Sequence, residues 1–144
     1  ILPLVEALTR LGVAISAPSG CPPVTIQGQG GFGGGLVEVD GGLSSQYVSA
    51  LLMAGACARN PVDVVLTGQE IGARGYVDLT LATMRAFGAE VSELQSGGWR
   101  IAPTGYVATD YLIEPDASAA TYLWAAEVLT GGAIDLGVPA EAFT

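Results

Sequence analysis

The run Asp40-Gly41-Gly42-Leu43-Ser44-Ser45-Gln46-Tyr47-Val48-Ser49-Ala50-Leu51-Leu52 places three hydrogen-bonding side chains where a strand-like segment passes into a helical one. The first backbone N–H groups of a helix have no intrahelical acceptor and lie at the positive end of its dipole. Ser44, Ser45 and Gln46 add hydroxyl and amide donors to those amides, a set that can hold a phosphate or carboxylate without Lys or Arg. A serine in that place also serves as an ordinary N-cap. One serine suffices for a cap, and the Ser-Ser-Gln run behind Gly-Gly offers more donors than capping consumes.

The elements that must carry this run can be read from periodicity. Leu4, Leu8 and Leu11 recur at helical spacing, Gly12 stops the helix, and Val13-Ala14-Ile15 reads as a short strand. Leu81, Met84 and Phe87, then Gly88 and Ala89-Glu90-Val91, repeat the phrase about 76 residues later, with Ser16 and Ser92 closing the two copies. Val37-Glu38-Val39-Asp40 before the Ser44 helix is likewise echoed by Tyr111-Leu112-Ile113-Glu114 before the Ser118 helix. Such repetition predicts a fold built from a duplicated unit. Thr25-Ile26-Gln27, Val62-Asp63-Val64-Val65-Leu66 and Trp99-Arg100-Ile101 read as strands bounded by Gly or Pro, with another expected through Ala133-Ile134-Asp135-Leu136. The pattern is α/β with mixed sheets, two βαβαββ-like units cut open at the ends. The apolar faces Ala50-Leu51-Leu52-Met53-Ala54 and Leu123-Trp124-Ala125-Ala126 predict at least two largely buried helices.

Composition narrows the function. The 144 residues are half apolar and carry a net charge of −9, no Lys and no His, with Arg10, Arg59, Arg74, Arg85 and Arg100 as the cations. Nucleic-acid binding, which rests on neutralising several phosphates, is not expected. The same shortage argues against a whole enzyme for polyanionic substrates, because a buried phosphate and carboxylate usually recruit several Arg or Lys forks. No apolar run approaches the roughly 20 residues of a membrane span and no signal peptide is evident, so the reading is of a cytoplasmic protein with no membrane partner. Two cysteines are too few for a disulfide scaffold, and without His no metal site is expected. Cys21, before Pro22-Pro23, and Cys57, placed on the apolar side of a helix, read as buried or incidental thiols. The glycine-dense Gly28–Gly35 stretch is followed by a strand rather than a helix and has no Walker lysine, so it reads as a hairpin or crossover loop.

Three stretches, in order, resemble a known family. Gly28 to Leu52 is similar to the shikimate-3-phosphate-binding segment of the 5-enolpyruvylshikimate-3-phosphate synthase family. Tyr76-Val77-Asp78-Leu79-Thr80-Leu81-Ala82-Thr83-Met84-Arg85-Ala86-Phe87-Gly88 resembles its Tyr-(Ile/Val)-Asp-x-Thr-Leu-x-x-Met-x-x-Phe-Gly helix. Tyr111-Leu112-Ile113-Glu114-Pro115-Asp116-Ala117-Ser118-Ala119-Ala120-Thr121-Tyr122 resembles the segment that crosses between that family's two lobes.

The resemblance implies an enolpyruvyl transferase fold, an inside-out α/β barrel lobe of repeated βαβαββ units, incomplete here. Residues 1–111 would belong to the shikimate-3-phosphate-binding lobe and 112–144 to the crossover and the start of the other lobe. It implies transfer of the enolpyruvyl group of phosphoenolpyruvate to the 5-hydroxyl of shikimate 3-phosphate without metal or organic cofactor, by an enzyme that is monomeric when complete. Ser44 and Ser45 would hold the 3-phosphate, Gln46 would reach the substrate ring, and Tyr76 would donate to the phosphate, with Arg74 as a further candidate. The family commonly has Ser-(Lys/Arg)-Pro-Tyr where this chain has Ala73-Arg74-Gly75-Tyr76. Ala73 therefore removes one phosphate donor, and Gly75 in place of Pro loosens the loop. Asp116 matches the lobe-crossing acid, and helix capping is its expected role. Asp40, Asp78, Asp110 and Glu114 read as solvated or turn carboxylates. The family's proton-transfer groups and its phosphoenolpyruvate-binding arginines match nothing here, so no catalytic residue is assigned and the chain is expected to be inactive alone, as the middle of a longer enzyme. The alternatives are an enolpyruvyl transferase acting on UDP-N-acetylglucosamine and a non-catalytic binding or scaffolding domain of the same fold.

Overall fold

The computed structural model describes residues 1–42, 44–68 and 74–139. The chain divides into two compact units, Ile1–Thr109 and Asp110–Thr144. The first contains α1 (Leu2–Arg10), β1 (Ile15–Ser16), β2 (Thr25–Ile26), β3 (Gly35–Asp40), α2 (Ser45–Gly55), β4 (Val62–Thr67), α3 (Arg74–Ala86), β5 (Val91–Glu93) and β6 (Gly98–Ile101). The second contains α4 (Ala117–Thr130).

From β3 to β6 the first unit runs through one full βαβαββ sequence. Its sheet has the order β3-β4-β6-β5, with β3 and β4 parallel and the other two pairings antiparallel. Register aligns Val37 with Val64, and Val64 with Trp99, so three buried side chains form one row across the sheet. Val62 and Ile101 form the next row. Along β3 the buried Val37 and Val39 alternate with exposed Leu36, Glu38 and Asp40, the period of a sheet covered on one face.

Helices α2 and α3 cover that face, and α1 adds Ala7 and Leu11 to the same buried cluster. On α2 the buried Val48, Leu51, Leu52 and Gly55 have the spacing i, i+3, i+4, i+7, with Ser49 buried beside them, and Val77, Leu81 and Met84 form the shorter stripe of α3. Gly55 lets α2 approach closely, because a Cβ there would meet Ile101 and Val62 Cβ at 3.3 Å. Burying each large apolar side chain of this stripe contributes about 1.5–3 kcal/mol.

The predicted duplication is visible in hydrogen bonds. The Gly12 N–H donates to Thr9 O (3.0 Å) and the Val13 N–H to Leu8 O (2.9 Å); at the end of α3 the Gly88 N–H donates to Arg85 O (3.0 Å) and the Ala89 N–H to Met84 O (2.9 Å). Both glycines adopt the left-handed conformation such helix ends require, with φ of 88° and 80°. A short antiparallel pair follows each: β1 with β2, and β5 with β6.

Several expectations differ from what forms. Tyr111-Leu112-Ile113-Glu114 has the composition of a strand but forms none, and Leu112 and Ile113 are 93% and 82% exposed. Residues 133–136 likewise form no strand. A strand is completed by hydrogen bonds to a neighbour, and composition alone does not supply one. Of the two apolar helices expected to be buried, α2 is, whereas α4 buries only Ala120. Cys21 and Cys57 are both exposed, and Cys57 falls beyond the last residue of α2. The glycine-dense stretch is irregular up to Gly34, as its turn chemistry predicts, and β3 begins at Gly35.

Candidate functional site

Because β3 and β4 are parallel, with Asp40 opposite Thr67, their carboxyl ends finish side by side at one edge of the sheet. The chain leaves that edge twice and returns each time as a helix, so α2 and α3 both start there and run back along the sheet. Open α/β sheets bind ligands at this kind of edge. The turn after β3 is tied down: the Gly42 N–H donates to Asp40 Oδ1 (2.9 Å) and the Gly41 N–H to Thr67 O (3.0 Å). Gly68, at φ 78°, passes so close that a Cβ would come within 2.6 Å of Asp40 Oδ1. The first residue beyond β4 is therefore held against the turn beyond β3.

Ser44 is the N-cap of α2, extended at φ −172°, with Oγ accepting from the Gln46 N–H at 3.2 Å. Capping uses an acceptor lone pair and leaves the hydroxyl proton available to a ligand. Ser45 is the first helical residue and half-buried, and Gln46 is exposed. On α3, Tyr76 lies in the first turn and is 62% exposed. The helices meet one turn further in, where Ser49 Oγ and Thr80 Oγ1 are 2.9 Å apart.

Arg74 stands at the start of α3, and its guanidinium is engaged elsewhere. Nε donates to Asp78 Oδ1 at 3.0 Å, Nη2 lies 4.0 Å from Glu93 Oε1, and the group sits 5.1 Å from the centroid of the Trp99 ring. These contacts hold it toward β5 and β6. Asp78, read as a solvated or turn carboxylate, is thus a partner of Arg74. Gly75 is part of the first turn of α3 rather than a loop, and a side chain there would meet nothing within 4 Å. Ala73, the departure from the family pattern, lies outside the described residues. In the second unit Asp116 Oδ1 accepts from the Ser118 N–H (2.8 Å) and the Ala119 N–H (3.1 Å), the capping role expected of it.

The sequence reading passed over Ser49 and Thr80. The available signal was a hydroxyl on an otherwise apolar helix face four residues after a candidate ligand, since Ser49 follows Ser45 and Thr80 follows Tyr76 at one helical turn. Behind the pair, Met53, Leu79, Thr80, Thr83, Met84, Phe87 and Tyr106 line a cavity of about 280 Å³. The Tyr106 hydroxyl donates to Met53 O at 2.8 Å, and burial, followed by the nearby Cys57 thiol, raises its pKa above the ordinary tyrosine value. Among the described residues no group of three or more His, Cys, Asp and Glu is placed to hold a metal, and no helix is long and apolar enough to cross a membrane.

A family model described as EPSP synthase (3-phosphoshikimate 1-carboxyvinyltransferase) matches residues 1–138. The chain belongs to the EPSP synthase family. A 3-phosphoshikimate 1-carboxyvinyltransferase of Pseudomonas syringae pv. syringae is 70% identical over 99% of this chain, and one of Rhizobium leguminosarum bv. trifolii is 61% identical over the same share. The pentafunctional AROM polypeptide of Malassezia globosa is 39% identical over 90% of the chain, which covers 8% of that protein. The chain spans about a third of the length of the two bacterial relatives, 34% in each. An EPSP synthase structure from Acinetobacter baumannii superposes with a TM-score of 0.60 at 23% identity, covering 83% of this chain and 26% of that one. The mixed α/β fold with open sheets is thus a partial enolpyruvyl transferase fold.

Proposed function

We propose that this chain supplies the phosphoshikimate-binding half-site of a 3-phosphoshikimate 1-carboxyvinyltransferase. The observation that supports this best is the shared edge of the two parallel strands, where one helix start presents Ser44, Ser45 and Gln46 and the other presents Tyr76. In the complete enzyme the 5-hydroxyl oxygen of shikimate 3-phosphate bonds to C2 of phosphoenolpyruvate and gives up its proton while C3 gains one, breaking the C2–C3 π bond and giving a tetrahedral adduct. Loss of phosphate from C2 and of the proton from C3 then leaves the enolpyruvyl ether. This chain's part is binding and orientation. The Ser44 and Ser45 hydroxyls at the start of α2 hold the 3-phosphate; Gln46 reaches the ring, and Tyr76 donates from α3. Arg74 is a reserve cation that would reach the phosphate only by leaving Asp78 and Trp99.

Residues 1–111 belong, in this reading, to the phosphoshikimate lobe, and 112–144 cross to the other. The proton-transfer groups and the phosphoenolpyruvate arginines lie in the remainder of the enzyme, which needs no organic cofactor, works as a cytoplasmic monomer and takes only small-molecule partners. The names of the relatives favour phosphoshikimate over UDP-N-acetylglucosamine as the acceptor.

The test is the complete enzyme assayed by phosphate release from phosphoenolpyruvate. A hydrogen bond to a charged group contributes about 1.5–3 kcal/mol, so Ser45→Ala should raise KM for shikimate 3-phosphate about tenfold to a hundredfold and that for phosphoenolpyruvate far less. Equal effects on both substrates would reduce Ser45 to a structural residue, and a parent that does not use shikimate 3-phosphate would overturn the reading.

A further inference from the structure

Ser49 is 9% exposed and is the one polar side chain counted as buried among the described residues. A hydroxyl among the side chains of a core costs stability unless it is hydrogen-bonded. Its partner is Thr80 Oγ1, at 2.9 Å, and Thr80 Oγ1 in turn donates to the Tyr76 carbonyl oxygen at 2.8 Å. A carbonyl cannot donate and a hydroxyl has one proton, so the two bonds form together only when Ser49 donates to Thr80. Thr80 gives its proton to Tyr76 O, and Ser49 gives its proton to Thr80. A polarised relay thus runs from the interior of α2, through α3, to the backbone of the residue that carries the candidate phosphate-binding phenol.

The relay is also a ruler. Ser45 lies one helical turn before Ser49, and Tyr76 one turn before Thr80, so each is on the same helix face as the hydroxyl below it. With a rise of 1.5 Å per residue both stand about 6 Å beyond the contact, and the tilt of Cα–Cβ bonds toward a helix N-terminus carries their side chains further toward the strand edge. The separation fixed at the Ser49–Thr80 contact is handed on to Ser45 and Tyr76. Two apolar residues would also hold the helices together, but they would not fix the rotation of one about its axis against the other as a directional hydrogen bond does.

We propose that Ser49 and Thr80 are positioning residues for phosphate recognition, setting the distance between the Ser44–Ser45 donors on α2 and Tyr76 on α3. The proposal rests on the reading that this edge binds shikimate 3-phosphate. It is tested in the complete enzyme with Thr80→Val, which keeps the shape and removes the hydroxyl, with Thr80→Ser, which restores the hydroxyl, and with Ser49→Ala. Thr80→Val and Ser49→Ala should each raise KM for shikimate 3-phosphate about threefold to tenfold, the range spanned by one neutral hydrogen bond, while kcat and KM for phosphoenolpyruvate stay within about twofold. Thr80→Ser should return KM to the parent value, and the double variant should be no worse than Thr80→Val, because the two residues form one link. Should Thr80→Val fail to accumulate as folded protein, Ser49→Ala, which removes a single oxygen, carries the same measurement. A fall in melting temperature with both KM values unchanged, or an equal rise in both, overturns the proposal. Ser45→Ala run in parallel separates the layers. If it weakens shikimate 3-phosphate while Ser49→Ala and Thr80→Val are silent, only the positioning role fails; if it is silent too, the phosphate site and the positioning role fall together.

Discussion

The helices α2 and α4 are alike locally and opposite in their surroundings. Each is capped by a side-chain oxygen, from Ser44 or Asp116, and each is rich in Leu and Ala. In α2 the side chains of Val48, Leu51 and Leu52 are wholly buried, whereas in α4 Val128 and Leu129 are 83% and 85% exposed. Capping and composition thus decide where a helix forms, while partner elements decide what it buries. Apolar residues on every side, as in α4, describe a helix suited to being surrounded. The second unit also has no Lys or Arg, and its described carboxylates Asp110, Glu114, Asp116, Glu127 and Asp135 leave it wholly acidic.

Core truncation should separate the two helices most clearly. Leu51→Ala should destabilise this chain by about 2–5 kcal/mol in chemical denaturation, as expected for a large side chain removed from a packed interior. Leu129→Ala should change it by less than about 0.5 kcal/mol, the range for an exposed position. Repeating Leu129→Ala in a complete relative sharpens the point, since a loss above about 2 kcal/mol there would show that other residues cover the helix.

Cap removal should have a smaller effect, of different character in the two helices. Ser44→Ala and Asp116→Ala should each cost about 1 kcal/mol of helix stability. For Ser44 the loss should lower the midpoint of the cooperative unfolding transition, because α2 is part of the core. For Asp116, which holds two N–H groups, it should appear as reduced helicity by circular dichroism with that midpoint nearly unchanged.

The smallest effect concerns Tyr106, which closes the α2–α3 groove by donating to Met53 O. Its pKa is raised in the folded chain by burial and by Cys57, so the unfolded chain ionises first as pH climbs past the ordinary tyrosine value near 10. The contribution is intact below that pH and is lost as pH rises toward the folded pKa. Tyr106→Phe should flatten this part of the alkaline decline in stability; an unchanged pH profile would show that the hydroxyl is fully solvated.

Much of the first unit was legible because its signals are local. The apolar spacings of α1, α2 and α3, the glycine stops at Gly12 and Gly88, and the Ser44 cap each depend on residues a few positions apart. The repeat at a shift of about 76 residues foretold two copies of the same helix end and the strand that follows it. Features fixed by partners distant in sequence were less legible. The strand pattern at 111–114 is real as composition, yet these residues form no strand. Arg74 looked like a phosphate ligand or a solvated cation because Trp99, which it covers, is 25 positions away. Ser49 and Thr80 passed for ordinary helix residues, since their meaning lies in a contact across 31 positions. The candidate site shows the same division: its donors on α2 could be read from one contiguous run, but their pairing with Tyr76 required the parallel register of β3 and β4.

The stacking of Arg74 over Trp99 has an optical consequence. The chain has two tryptophans, one in each unit, and their environments differ: Trp99 is 1% exposed beneath a guanidinium, whereas Trp124 is 40% exposed on α4. Indole emission shifts to the red with hydration and changes in intensity when a cation moves relative to the ring, so the two signals are separable. With Trp124 replaced by Phe, the remaining indole emission would report on Trp99 and the guanidinium of Arg74 above it. A ligand that drew Arg74 away from the ring would then announce itself without any label.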